Sequence, residues 1–182
     1  MSDEQVFRKG FGLKEEVQQD LAQDYRSRIV EEIRGGGNTL QVGPISFRLA
    51  KEFGFCYGVE RAVDYAYETR AKFPNKRIFL TNEIIHNPRV NSKLLEMGVQ
   101  FLSGPYKADG GADRVTEEDV VIIPAFGTTT QDLNELQKKG CVLVDTTCGS
   151  VMSVWKRVES YAREDFTSVI HGKYDHEETQ AT

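Results

Sequence analysis

Val120-Val121-Ile122-Ile123-Pro124-Ala125-Phe126-Gly127-Thr128-Thr129-Thr130, then Gln131 to Gly140, then Cys141-Val142-Leu143-Val144-Asp145-Thr146-Thr147-Cys148-Gly149-Ser150, is the stretch that decides the fold. A β-branched apolar run ended by Pro and Gly reads as a strand, near 120–124. The polar-rich segment behind the threonines reads as a helix, near 130–139, and Gly140 ends it. The next apolar run reads as a second strand, near 141–145, followed by a helix near 150–163. Short, wholly apolar strands separated by helices mark a sheet that is parallel and covered on both faces.

The same alternation extends in both directions. Strands are predicted near 45–50, 77–81 and 167–171, and helices near 58–72 and 88–97. Asn87-Pro88 supplies an N-cap followed by Pro at the first helical position. Gly98 closes that helix, and Val99-Gln100-Phe101-Leu102 reads as one more short strand. Ser103 to Asp119 is a polar excursion without a core signal. Toward the N-terminus, Val17, Leu21, Tyr25, Ile29 and Ile33 recur every four residues, which predicts one amphipathic helix over 13–34, stopped by Gly35-Gly36-Gly37. Residues 1–12 read as a loose arm. Apolar alternation around Gly43-Pro44 predicts a short hairpin or a turn entering a strand. The fold class expected is α/β: a mostly parallel open sheet flanked by helices, with an N-terminal amphipathic helix docked on something larger.

Composition narrows the function. The 182 residues carry 23 basic and 28 acidic side chains, a formal charge of −5, which excludes a nucleic-acid binder working by bulk charge. Hydrophobic residues make up 39%; without the 7 Tyr and with the 16 Gly the share is roughly 44%, at the lower edge of the globular range and enough for a packed core. No apolar run approaches the roughly 18 residues of a membrane span. Met1-Ser2-Asp3-Glu4-Gln5 lacks the order of a signal or transit peptide, so a cytoplasmic location without membrane attachment is expected. Three cysteines, Cys56, Cys141 and Cys148, are too few and odd in number for a disulfide scaffold. They are metal ligands, nucleophiles or core.

In open α/β sheets ligands bind beyond the carboxyl ends of the strands. The segments there are 53–58, 81–87, 125–130, 145–150 and 171–178, so two cysteines, three histidines, several threonines and acids converge on one rim. Cys56 and Cys148 each stand just before a helix, where exposed N–H groups stabilise a thiolate. Buried small hydrophobe is the alternative for either one. Cys141 opens an apolar strand, roughly 20 Å of extended chain from Cys148, and reads as core. His86 precedes a Pro-started helix and suits an anion. His171 reads as a solvated loop residue. His176 with Glu178 can bind an anion and move a proton. Thr128, Thr129 and Thr130 either cap a helix or face a ligand.

Gly54-Phe55-Cys56-Tyr57-Gly58-Val59, Glu83-Ile84-Ile85-His86-Asn87-Pro88, Asp145-Thr146-Thr147-Cys148 and His171-Gly172-Lys173-Tyr174-Asp175-His176-Glu177-Glu178-Thr179 resemble, in this order, the motifs of the 4-hydroxy-3-methylbut-2-enyl diphosphate reductases. The resemblance runs over about 45–182, and the N-terminal helix is similar to the extension of the cyanobacterial and plastid branch. It implies an iron–sulfur oxidoreductase of the methylerythritol phosphate route to isoprenoids, which removes the substrate hydroxyl to give isopentenyl and dimethylallyl diphosphate. By this resemblance Cys56 and Cys148 match two of three ligands of a 4Fe-4S cluster, with the third cysteine downstream of Thr182. His86 and His176 match the histidines that hold the diphosphate of the prenyl diphosphate substrate, and Glu178 matches the proton-relaying acid. A ferredoxin or flavodoxin-type donor is implied.

The chain departs from the family pattern at two points. Gly149 stands where many members have Pro, and Phe126-Gly127 where another branch has a diphosphate-binding His-Gly pair, so Thr128 or Thr129 takes over that contact. The domains expected are an N-terminal arm and helix over 1–44, a first α/β domain over 45–148, and the start of a second similar domain over 149–182. An N-terminal portion of a longer enzyme, poorly active by itself, is the leading reading. The alternatives are a non-catalytic diphosphate-binding α/β module with buried cysteines and, last, a hydrolase using Cys148, for which no base partner is evident.

Overall fold

A computed structural model describes residues 6–182. Its centre is a five-stranded parallel sheet in the order β1-β7-β6-β4-β5, made of β1 (Val6–Phe7), β4 (Ile78–Leu80), β5 (Val99–Phe101), β6 (Val120–Ile123) and β7 (Val142–Asp145). Because side chains alternate along a strand, the sheet builds two cores. Ile78, Leu80, Val99, Phe101, Val120, Ile122 and Val144 face α3 (Tyr57–Lys72) and α4 (Pro88–Glu96). Phe79, Val121 and Leu143 face the other way, onto Leu136 of α5 (Thr130–Lys139), Cys141, Leu102 and Val115. Nearly all of these are wholly buried, each contributing about 1.5–3 kcal/mol for a large aliphatic or aromatic side chain.

Of the six strands expected, four, near 77–81, 99–102, 120–124 and 141–145, stand in this sheet, and two differ. The strand near 45–50 is β3 (Ile45–Arg48), paired antiparallel with β2 (Thr39–Val42) in a separate hairpin. Its residues are exposed, so nothing draws it into the parallel sheet. Residues 167–171 form no strand. Backbone there has no neighbouring strand to pair with among the described residues, and Val169 and Ile170 remain exposed. The fifth strand of the sheet is β1, which lies in the segment expected to be a loose arm, of which residues 1–5 fall outside the described part. Val6 and Phe7 pair with Leu143 and Val144 at the sheet edge.

The single helix over 13–34 is two: α1 (Lys14–Tyr25) and α2 (Arg28–Gly35). A strict four-residue spacing rotates the apolar stripe by about 40° per step, or about 160° from Val17 to Ile33, so one straight helix cannot bury it all. Arg26 is extended and Ser27 caps α2, accepting from the Val30 N–H at 3.5 Å. Val17 and Ile33 are buried, whereas Ile29 is 63% exposed. α1 packs on α3, and buried Glu68 accepts from the N–H groups of Phe11 (2.7 Å) and Leu13 (3.1 Å) ahead of it. The excursion over 103–119 also contributes to the core, through Val115, and buries a charged residue, Asp119.

Candidate functional site

The strand order locates a crevice. From β4 the chain crosses through α4 to β5 on one side, and from β6 it crosses through α5 to β7 on the other. The connections diverge between β4 and β6, the position at which open α/β sheets take ligands. The loops leaving these two strands carry Asn82, Glu83 and His86, and Phe126, Thr128 and Thr129.

His86 lies here, partly exposed, with its ring stacked on Phe126 at 4.6 Å between centroids. His176 joins the same ring edge-on at 5.3 Å. The two Nε2 atoms are 3.0 Å apart although 90 residues separate the histidines. His86 Nδ1 is 3.0 Å from Glu83 Oε2. Glu177 Oε2 is 3.5 Å from His86 Nε2, and Asn82 donates to the other oxygen of Glu177 at 2.5 Å. His176 is the N-cap of a short helix, α7 (Glu177–Ala181), its Nδ1 accepting from the Glu178 N–H at 3.2 Å.

Beside the histidine pair is a cleft of about 190 Å³, lined by Asn82, Ser103, Gly127, Thr128, Thr129 and Glu177 among others. Thr129 is the N-cap of α5: its hydroxyl accepts from the Asp132 N–H (3.1 Å) and donates to Asp132 Oδ2 (2.8 Å). Thr128 makes only a long contact to the same oxygen, 3.4 Å, and is the freer hydroxyl. Gly127 has φ +85°, and a side chain there would collide with Trp155. Glu178 lines a wider groove, with His176, Arg157, Lys173 and Thr179.

Cys56 and Cys148 are the N-caps of α3 and of α6 (Gly149–Ala162). Cys56 is exposed, Cys148 half-buried, and neither sulfur makes a capping hydrogen bond. Gly58, two residues after Cys56, lies directly against Cys148 Sγ, so the two helix starts meet there. The Cys148 turn is held firmly. Its N–H donates to Ala125 O (2.9 Å), the Thr146 hydroxyl to Ile123 O (2.6 Å), and the Thr147 hydroxyl to Asp145 (2.6 Å). Arg61 reaches across from α3 to Thr147 O at 2.9 Å and Arg8 O at 2.7 Å. Cys141 belongs to the core, donating to Leu136 O, and burial pushes its thiol up to about 11.

The family model described as LytB protein matches residues 47–182. The chain belongs to the LytB family. A relative from Gloeobacter violaceus, named 4-hydroxy-3-methylbut-2-enyl diphosphate reductase, is 52% identical over 185 residues, covering the whole of this LytB chain and 44% of the relative. One of the same name from Nostoc is 54% identical over 177 residues, covering 96% and 43%. A solved structure of (E)-4-hydroxy-3-methyl-but-2-enyl diphosphate reductase, the terminal enzyme of the non-mevalonate pathway, superposes with TM-score 0.60 at 33% identity, over 72% of this chain and 44% of that one. The Plasmodium falciparum reductase superposes with TM-score 0.63 at 27% identity, over 72% and 39%. This LytB chain therefore spans less than half the length of the relatives it matches.

Three participants escaped the reading of the sequence. Glu83 sits inside a quoted motif, yet only the fold turns it onto His86. Phe126 reads as a missing donor, whereas its ring is the platform for both histidines. Arg61 belongs to no motif and braces the Cys148 turn.

Proposed function

We propose that this LytB chain is the portion of a 4-hydroxy-3-methylbut-2-enyl diphosphate reductase that binds the substrate diphosphate and supplies two cluster ligands. The observation that carries the reading is the meeting of His86 and His176 on Phe126, at the crevice between β4 and β6. The overall change is reductive: the allylic alcohol takes two electrons and two protons, and leaves as isopentenyl or dimethylallyl diphosphate plus water.

The donor chemistry fits an iron–sulfur group. Two soft thiols without internal hydrogen-bond partners stand at helix starts that favour the thiolate, and the side-chain-free face of Gly58 makes room for one of them. Cys56 and Cys148 would hold a 4Fe-4S cluster together with a third cysteine expected beyond Thr182. When bound, such a cluster supplies the electrons and an iron site for the substrate hydroxyl. His86 and His176 grip the diphosphate as donors, Thr128 or Thr129 adds a hydroxyl contact, and Glu178 carries the proton. A ferredoxin or flavodoxin-type protein delivers the electrons, in the cytoplasm. Among the described residues no helix is long and apolar enough to cross a membrane.

The complete protein, purified without oxygen, is expected to be brown, and Cys56→Ser or Cys148→Ser to lose most of the iron. Full iron in both variants overturns the assignment. The 182-residue chain is expected to turn over poorly, because two thiolates hold a four-iron cluster weakly; activity matching the complete enzyme contradicts that.

A further inference from the structure

Asn91 is wholly buried on α4, and its side-chain amide has every role assigned. Its oxygen accepts from the Ile84 N–H (3.3 Å), while its nitrogen donates to Ile85 O (2.9 Å) and to Glu83 Oε1 (2.7 Å). The Asn91 amide is thereby fixed with NH2 toward Glu83, which must accept. The other Glu83 oxygen, Oε2, faces His86 Nδ1 at 3.0 Å, so that nitrogen carries the proton. At the far end of the cluster, His176 Nδ1 accepts from the Glu178 N–H, so its proton is on Nε2. The 3.0 Å contact between the rings is then His176 Nε2–H donating to the bare Nε2 of His86.

We propose that Glu83 is a positioning residue for the anion site, which through Asn91 sets the tautomer of His86 and joins it with His176 into one hydrogen-bonded pair that takes up a proton when an anion binds. The first part stands by itself, and the anion part rests on the diphosphate reading above. An anion must displace His176 from His86 and then meets a lone pair unless His86 Nε2 is protonated. The charged groups around the ring are Glu83, at Nδ1 from the β4–α4 loop, and Glu177 of α7, whose Oε2 is 3.5 Å from Nε2, with neutral Phe126 beneath. His86, His176 and Glu177 also lie close enough together to hold a cation. The tautomer speaks against one, because His176 presents a proton and not a lone pair to the centre.

A carboxylate is required at position 83 because both oxygens accept. In Glu83→Gln the amide oxygen turns to buried Asn91, where an unmet donor costs most. Its NH2 then faces His86 Nδ1, which becomes an acceptor, and the His86 tautomer inverts. Two Nε2–H groups would confront each other and the pair would break.

The chain contains three histidines, so two-bond 1H–15N spectra of the imidazoles can be assigned by single substitutions. In the ligand-free 182-residue chain at mildly alkaline pH, His86 is expected as Nδ1–H and His176 as Nε2–H. Glu83→Gln is expected to convert His86 to Nε2–H, while Glu177→Gln, removing the other carboxylate beside the ring, leaves it unchanged. Inorganic pyrophosphate is expected to bring His86 to the doubly protonated form in the native chain, and Glu83→Gln to lose that response at the same pH. His86 as Nε2–H in the native chain, or an unchanged tautomer in Glu83→Gln, overturns the positioning role. Histidine signals unmoved by pyrophosphate, with tautomers as described, overturn the anion part and leave the role of Glu83 standing.

Discussion

Gly58 Cα and Cys148 Sγ are packed so closely that a Cβ on residue 58 would occupy the space of the sulfur. One helix start therefore depends on the other: the second proposed ligand can sit where it does only because residue 58, two after the first, has no side chain. In an ordinary helix Gly→Ala stabilises by about 1 kcal/mol. Here the clash reverses the sign, and Gly58→Ala is expected to destabilise by about 1–3 kcal/mol through overpacking. Urea unfolding measures it, and a stabilised variant would show that Cys148 moves aside freely.

Arg61 joins α3, the Cys148 turn and the residue just after the edge strand β1 by two charge-assisted hydrogen bonds to carbonyls, while Arg8 pairs with Asp145 at 3.4 Å. Arg61→Ala is expected to cost about 1–3 kcal/mol. It is also expected to speed amide exchange in residues 145–148 more than in β6. Uniform acceleration across the sheet would mean that Arg61 contributes to global stability only.

The three thiols differ in reactivity. Cys56 is exposed, Cys148 half-buried and Cys141 buried with its pKa raised to about 11. At pH 8 the Cys141 thiolate is about a thousandth of the total, against a substantial share for an ordinary thiol. A thiol reagent is expected to modify Cys56 first and Cys148 more slowly, with Cys141 reacting only after unfolding. Rapid titration of all three in the folded chain would contradict the core placement.

Acid should expose Asp119. Burial by itself would raise its pKa, but the Arg77 guanidinium (Nε 2.8 Å, Nη2 2.7 Å) and the Thr116 N–H and hydroxyl (2.7 and 2.9 Å) outweigh that and hold the carboxyl below its usual range. A folded value below the unfolded one means that the contribution is complete above about pH 4 and is lost as pH falls through the lower folded value. Asp119→Asn is expected to be less stable at neutral pH and to lose less stability between about pH 4 and pH 2. Parallel pH profiles for native chain and variant would remove Asp119 from the account.

Thr129 and Thr128 separate capping from binding. Thr129→Ala is expected to cost about 1 kcal/mol, the loss of an N-cap. Thr128→Ala should leave stability almost unchanged and weaken pyrophosphate binding to the chain. Calorimetry and denaturant unfolding on both variants decide which hydroxyl faces the ligand.

Much of the sheet was legible in the sequence because its strands are short, wholly apolar and punctuated. Val120–Ile123, Val142–Asp145 and Ile78–Leu80, with helices α3 to α6, fall within a residue or two of the predicted bounds. The misreadings share one cause, that pattern reports what a segment can do and not which partner it finds. Residues 167–171 have strand composition but no strand beside them, whereas Val6 and Phe7, too short to register as a pattern, find the edge of β7. The stripe from Val17 to Ile33 reads as one helix because periodicity hides slow rotation.

By itself, then, the sequence determined the chemistry present: two thiols before helix starts, a core cysteine, histidines and acids beside them, and the family motifs that contain them. Only the tertiary structure decided which of these meet. His86 and His176 are 90 residues apart and touch, whereas Glu177 and Glu178 are neighbours in sequence and point to different clefts. The reason is geometric: strand order brings distant loops to one crevice, and about 100° of helical rotation separates adjacent residues. The proton on His86 lies further still from the sequence, since it depends on a buried amide in α4 that no motif names.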